Sequence, residues 1–351
     1  MIFDFIDGAA GEEYAKLNNQ QSLDQLRLLP RGLVDITSRS QQTPFLDQTY
    51  SSPFGIAPMG MCNLAWPGAD LMLATAAKKH NIPVCLSTAA STSIEDMAAV
   101  AQQHGWFQLY VGQSIDNSLK LVDRALAANY PVLMLTIDAQ QVAIRRRDKR
   151  NGFGAPLKIG PKQFLDFALH PRWSLTTLSK GAPSPANIAI DAGDKTFDRN
   201  ATRGVVDLEF VARLREHWPH KLIVKGVLSP DDAVSLKQCG CDAVYVSNHG
   251  GRQFDSAPAP IDQLSKIRAA VGQDFPLLFD SGVRNGAAII KALAKGANFV
   301  MLGRPYLYAI AADGERGLDT VIELLKKDVD DALAQLGKPD ISQIDDSILL
   351  N

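Results

Sequence analysis

The chain has 351 residues, 46% hydrophobic and 21% charged, enough apolar material for a large buried core and too little charge for a disordered polymer. A formal net charge of -2 gives no electrostatic reason to expect nucleic acid as a partner, and the one basic run, Arg145-Arg146-Arg147-Asp148-Lys149-Arg150, reads as a short solvated face. Cys62, Cys85, Cys239 and Cys241 lack metal-ligand spacing, so no metal is expected and reduced thiols in a cytoplasmic protein fit best.

The opening, MIFDFIDGAAGEE, has no basic segment followed by an apolar core, which disfavours a secretion signal. No apolar run approaches the ~20 residues needed to cross a bilayer. Going along the chain, short apolar runs predict strands at 54–58, 83–86, 106–111, 132–137, 222–227, 243–246, 276–279 and 299–302. Helical periodicity falls between most of them, at 69–79, 94–103, 118–128, 208–216 and 285–295. A final amphipathic helix at 318–336 carries Leu318, Ile322, Leu325, Val329 and Leu333 on one stripe. Eight buried strands alternating with helices predict an α/β fold, a parallel (β/α)₈ TIM barrel forming one domain over 1–351. A doubly wound sheet is the weaker alternative, because no GxGxxG follows the first strand.

One connection breaks the rhythm. Residues 139–205 separate the fourth strand from the fifth, and 152–204 carry scattered Pro and Gly with little periodicity, which reads as an active-site loop or lid. Within it, QFLDFALHPRWSLTTL at 163–178 is aromatic and apolar. It either folds back over the barrel mouth or touches a membrane surface or a partner.

Active sites of such barrels gather at the C-terminal strand ends. Those ends hold Pro58-Met59-Gly60, Ser87-Thr88, Gln108 and Tyr110, Thr136 and Asp138, Lys225, Ser247 and His249, Asp280 to Arg284, and Gly303-Arg304. In DSGVRNG and LGRP, Gly282, Gly286 and Gly303 leave backbone N–H groups unshielded beside Arg284 and Arg304, as a phosphate requires. Lys225 reads either as a Schiff-base nucleophile or as a positive charge beside a cofactor. Among six histidines, His249 alone lies at a strand's C-terminal end and is the natural general base, with Asp138 to orient it. Arg145 and Arg252 lie just beyond two strand ends, and their planar guanidinium groups suit a carboxylate.

At these residues the chain resembles the FMN-dependent α-hydroxy acid dehydrogenase/oxidase family, over nearly its whole length. The most specific marker is SNHGGRQ at 247–253, supported by FQLYV at 107–111, LTID at 135–138, VKG at 224–226, DSGVR and LGR. HPRWSL at 170–175 and HWPHKLIVKG at 217–226 look most like mandelate dehydrogenase members, with lactate dehydrogenases and oxidases also in the family. The resemblance implies oxidation of an L-2-hydroxy acid to the 2-oxo acid, with oxygen or quinone reoxidising FMN. It implies that FMN is held around Pro58, Met59, Gly60, Ser87, Gln108, Thr136, Lys225 and Ser247, with its ribityl and phosphate at Asp280, Ser281, Gly282, Val283, Arg284, Gly303 and Arg304. His249 would be the base, Asp138 its partner, Arg145 and Arg252 the carboxylate clamp, and Tyr110 a donor to the reacting oxygen. Whether the carbon-bound hydrogen leaves as a proton to His249 or as hydride to flavin N5 is left open by the residues.

The family pattern also implies a homotetramer, and a membrane contact through the apolar 163–178 would be a peripheral one at the inner face of the cell membrane. Two departures stand out. Phe5 occupies the position of a tyrosine that binds the substrate carboxylate, and the chain opens only a few residues ahead of that motif, where a further helix is usual. Ala89 sits where some relatives carry a bulky aromatic, which favours a roomier pocket. Two other readings stand beside the main one, a lyase using Lys225 and a flavin-binding barrel with weak or lost turnover, the latter motivated by Phe5.

Overall fold

The computed structural model describes residues 1–153, 160–188 and 204–350. Eight parallel strands close into a barrel: β1 (Phe54–Met59), β2 (Val84–Ser87), β3 (Gly105–Leu109), β4 (Val132–Thr136), β5 (Lys221–Val227), β6 (Ala243–Val246), β7 (Leu277–Phe279) and β8 (Phe299–Leu302), with β8 pairing back onto β1. Their sequences are near-continuous apolar runs because helices cover the outer face and side chains fill the interior.

The helices are α1 (Ile2–Asp7), α2 (Tyr14–Gln25), α3 (Ala69–His80), α4 (Ile94–Ala101), α5 (Ile115–Ala127), α6 (Arg146–Arg150), α7 (Pro161–Ala168), α8 (Pro171–Lys180), α9 (Leu208–His217), α10 (Pro230–Gln238), α11 (Pro260–Val271), α12 (Gly286–Ala294) and α13 (Arg304–Leu336). Ser93, Ser114, Asp207, Ser229 and Asn285 each accept the third amide of the following helix, so the rim-side loops end at fixed points. The helical stripe expected at 318–336 is the second part of α13, which breaks at Asp313 and Gly314.

Two features differ from the sequence expectation. An antiparallel hairpin, Thr43–Phe45 with Gln48–Tyr50, plugs the bottom of the barrel, stacking Phe45 on Phe299 at 5.0 Å and setting Tyr50 edge-on to Trp106 at 6.4 Å. Three-residue strands give no periodicity to read. The insertion is also less irregular than expected: α7 and α8 lie within it, and Trp173 Nε1 donates to the Leu64 carbonyl at 3.1 Å. The segment therefore docks on the loop after β1, at the barrel mouth, while Phe164, Leu165, Leu169, Leu175 and Leu178 stay exposed. The parts of the expected lid at 154–159 and 189–203 lie outside the described residues.

Candidate active site

The C-terminal strand ends converge on an open cleft lined by Pro58, Met59, Gly60, Tyr110, Lys225, His249, Arg252, Gly303, Arg304 and the run 280–284. Phe5 and Ile6 from α1 close one side.

His249 follows β6 and adopts a left-handed backbone, φ 60°, an unfavourable conformation for a residue with a Cβ. The Ser247 hydroxyl accepts its amide at 3.0 Å, and Gly250 (φ 64°) continues the turn, where any Cβ would lie 2.8 Å from Arg304 Nη1. That turn aims the imidazole across the cleft, with Nδ1 3.0 Å from Asp138 Oδ1 and Nε2 3.1 Å from the Tyr110 hydroxyl. A neutral ring donating from Nδ1 to Asp138 accepts at Nε2 from Tyr110, the tautomer a general base needs. Burial, reinforced by the Lys225 charge, pushes the His249 pKa down and outweighs the upward pull of Asp138. Burial pushes the Asp138 carboxyl up, but His249 and Lys225 together leave it below the usual range. The pair is thus held as imidazole and carboxylate. Asp138 fits because Gly226 (φ 100°) faces it: a Cβ there would stand 2.6 Å from the Asp138 side chain, which accounts for the glycine after Lys225.

Lys225 Nζ donates to Ser247 Oγ at 3.0 Å and lies 3.9 Å from Asp280 Oδ2. Burial opposes its charge, but Asp280 and Asp138 raise its pKa. It stays an ammonium, which favours the reading as a cation beside a cofactor over a Schiff-base nucleophile. On the neighbouring strands Ser87 Oγ donates to Gln108 Oε1 at 2.9 Å, while Gln108 Nε2 and Thr136 Oγ1 are buried with no hydrogen-bond partner among the described residues. A buried donor and hydroxyl left this way, next to a buried ammonium, fit the polar edge of a flavin ring. Arg284 and Arg304 sit beside the glycines of the last two strand ends. Burial lowers both pKa values, and for Arg304, brought to about 10, the Arg284 charge adds to the effect. Two desolvated cations beside Gly282 and Gly303 fit a phosphate, whereas Gly286, expected to offer an unshielded amide as well, is buried and donates its N–H to Asp328 at 3.1 Å.

The covering side holds the remaining expected residues. Arg145 and Arg252 place their guanidinium carbons 5.9 and 5.4 Å from the centre of the Phe5 ring, which stacks on Phe153 at 4.4 Å. Several residues here were not singled out from the sequence. Asn19 exchanges two side-chain hydrogen bonds with Asn248 at 2.8 and 2.7 Å, tying α2 to the His249 loop, while Thr88, named among the strand ends, accepts the Tyr110 amide at its Oγ1. The basic run is not merely a solvated face: Arg146 pairs with Glu12, and Arg147 pairs with Asp7 and Glu13. The acidic opening and the basic run are complementary, a signal visible in the sequence as opposite charge blocks.

The family model described as FMN-dependent dehydrogenase matches residues 1–351. The (S)-mandelate dehydrogenase of Pseudomonas putida is 42% identical over 357 residues, covering 100% of this chain and 90% of that protein. An L-lactate dehydrogenase of Acinetobacter baylyi is 33% identical, covering 99% and 93%. Among solved structures, the monotopic membrane protein (S)-mandelate dehydrogenase superposes with a TM-score of 0.95 at 41% identity, covering 100% of this chain and 94% of the other. A mandelate oxidase superposes at 0.85 with 32% identity, covering 99% and 93%.

Proposed function

Because the chain belongs to the FMN-dependent dehydrogenase family, and FMN is therefore its cofactor, we propose that it oxidises an (S)-2-hydroxy acid with a bulky, mandelate-like side chain to the 2-oxo acid. The observation that carries this reading is the Tyr110–His249–Asp138 chain, whose Tyr110 and His249 share one cleft with Arg252, while Arg145 lies beside the same Phe5 ring. FMN, cradled by 58–60, Ser87, Gln108, Thr136, Lys225 and Ser247, with its phosphate at 280–284, Gly303 and Arg304, supplies the two-electron acceptor.

Arg145 and Arg252 bind the substrate carboxylate and so orient the carbinol carbon. His249 Nε2 accepts one proton of the substrate, the two electrons and the second proton would pass to FMN, and Asp138 stabilises the imidazolium that forms. Tyr110 donates to the reacting oxygen. Ala89, the small residue that favours a roomier pocket, packs against Gly60 at the edge of the cleft, its Cβ 3.1 Å from where a Cβ on Gly60 would stand. The described parts of the insertion, 139–153, 160–188 and 204–205, act as the lid of a single barrel domain.

The exposed apolar side chains of α7 and α8 rest on a membrane surface, where a quinone accepts the electrons; a peripheral position at the inner face of the cell membrane and a tetrameric assembly complete the reading. In support, a monotopic membrane protein is among the similar structures, and no helix among the described residues is long and apolar enough to cross a bilayer. Anaerobic mixing with a panel of 2-hydroxy acids should bleach the flavin fastest with (S)-mandelate-like substrates, and quinone should restore the colour faster than oxygen. A flavin left oxidised by every acid would refute the reading. Cosedimentation with anionic vesicles that is undiminished by Leu165→Glu and Leu178→Glu would remove the membrane assignment.

A further inference from the structure

Asp7, the last residue of α1, is largely buried, its side chain 18% exposed, and gathers three donors: Lys16 Nζ at 2.7 Å, Arg147 Nη1 at 2.6 Å and the Tyr308 hydroxyl at 2.6 Å. Burial alone would raise its pKa, but these hydrogen bonds override it and hold the carboxyl well below the usual carboxylate range. Each partner belongs to an element that also reaches the cleft. Arg147 lies two residues beyond Arg145, Tyr308 one helical turn beyond Arg304, and the Lys16 backbone packs on Gly251 of the His249 loop.

The turn that Asp7 anchors is itself a support. The Phe5 ring carries the guanidinium groups of Arg145 and Arg252. Arg252 Nη1 donates to the carbonyls of Gly8 at 2.7 Å and Ile6 at 3.2 Å; Arg304 Nη2 donates to the same Gly8 carbonyl at 2.9 Å and its Nε to Ile6 at 3.3 Å. These are carbonyls that a helix end leaves without intrahelical partners. Two arginines from different strand ends, one assigned to the substrate carboxylate and one to the cofactor phosphate, therefore share one pair of acceptors.

We propose that Asp7 is a positioning residue: by fixing the 5–8 turn it sets where Arg145 and Arg252 meet the substrate carboxylate and where Arg304 meets the FMN phosphate. This rests on the reading of Arg145 and Arg252 as the carboxylate clamp. One carboxylate that touches neither ligand then governs the affinity for both, and the reciprocity of linked binding makes FMN and carboxylate ligands support each other.

The test uses the holoenzyme and Asp7→Asn. The expected KM for (S)-mandelate rises about 5- to 30-fold, less than the direct loss of a charge-assisted hydrogen bond because Asp7 acts through the turn, while kcat changes less than about 3-fold. Binding of benzoate, followed by the flavin spectrum, weakens in the same proportion, whereas binding of benzyl alcohol, which has no carboxylate, does not change. FMN release, followed by the fluorescence of the freed cofactor, becomes faster. Asp7→Glu recovers part of each effect, and Arg147→Gln moves all of them in the same direction by less, adding little when combined with Asp7→Asn. Equal weakening of benzoate and benzyl alcohol, or a lowered melting midpoint with KM and FMN release unchanged, overturns the proposal. If Asp7→Asn does not fold, Arg147→Gln is judged by the same benzoate-to-benzyl alcohol split. A wild-type flavin that responds to no 2-hydroxy carboxylate overturns the functional reading as well; a normal wild-type response with an indistinguishable Asp7→Asn overturns this inference alone.

Discussion

The two sides of the cleft are held by different forces. On the barrel side, Lys225 and Ser247 are buried and His249 and Asp138 largely buried at or just beyond strand ends, joined by hydrogen bonds of about 3 Å, with strand pairing fixing the Lys225 backbone. On the covering side, Phe5, Arg145 and Arg252 are placed by ring contacts, backbone carbonyls and ion pairs between an N-terminal segment and an insertion more than a hundred residues away. On the proposed reading, the first kind of support serves proton transfer. The second includes the more exposed Arg147 and, on the same reading, serves ligand affinity. Damage to the barrel side should therefore appear in kcat, and damage to the cover in KM.

The strongest challenge to that division is Asp138→Asn. Replacing the carboxylate removes the acceptor that selects the His249 tautomer and stabilises the imidazolium, so the rate of flavin reduction should fall about 10²- to 10⁴-fold with KM and flavin content little altered. Stopped-flow absorbance reports the rate directly, and a loss confined to KM would erase the distinction.

Arg252→Met comes next. It removes a guanidinium from the carboxylate and a contact from the Phe5 ring, and KM should rise about 30- to 300-fold with a smaller change in kcat. Steady-state kinetics with one 2-hydroxy acid decides it; a kcat loss as large as that of Asp138→Asn would place the cover in the chemical step.

The smallest expected effect is that of Phe5→Tyr. The ring stays between the two arginines, and the added hydroxyl offers the carboxylate one more donor. A KM lower by about 3-fold is expected, below the full value of a hydrogen bond to a charge because the side chain must be ordered. An unchanged or higher KM would show that the ring edge points away from the carboxylate.

The same division explains what could be read without coordinates. All eight barrel strands were legible because each is a short apolar run bounded by turn residues and buried on both faces, and the catalytic candidates were legible because polar groups at the ends of such runs have no packing purpose. His249, Asp138 and Lys225 belong to this class. The cover was not legible in the same way. Asp7 is an unremarkable acid until Arg147 and Tyr308 are brought to it, and no local periodicity predicts a contact between residues 7 and 147. The hairpin at 43–50 was missed because its strands are too short for a pattern, and α7 and α8 because Pro and Gly around them mask two short helices. Arg145, Arg252 and Phe5 stand out in the sequence, but how the cover is held is signalled there only by the opposite charge blocks 7–13 and 145–150.

The central claim is that His249 is the base of a flavin-dependent oxidation, and anaerobic stopped-flow reduction of His249→Asn beside the wild type tests it most directly. Because burial keeps the His249 pKa below its ordinary 6.5, the neutral form prevails at neutral pH. For the wild type, kcat/KM should rise with pH through that lowered value and be level above about 6.5. His249→Asn should retain FMN, lose this pH dependence, and bleach about 10²- to 10⁴-fold more slowly with (S)-mandelate. Bleaching at a near-normal rate, with the wild-type pH profile intact, would contradict the account.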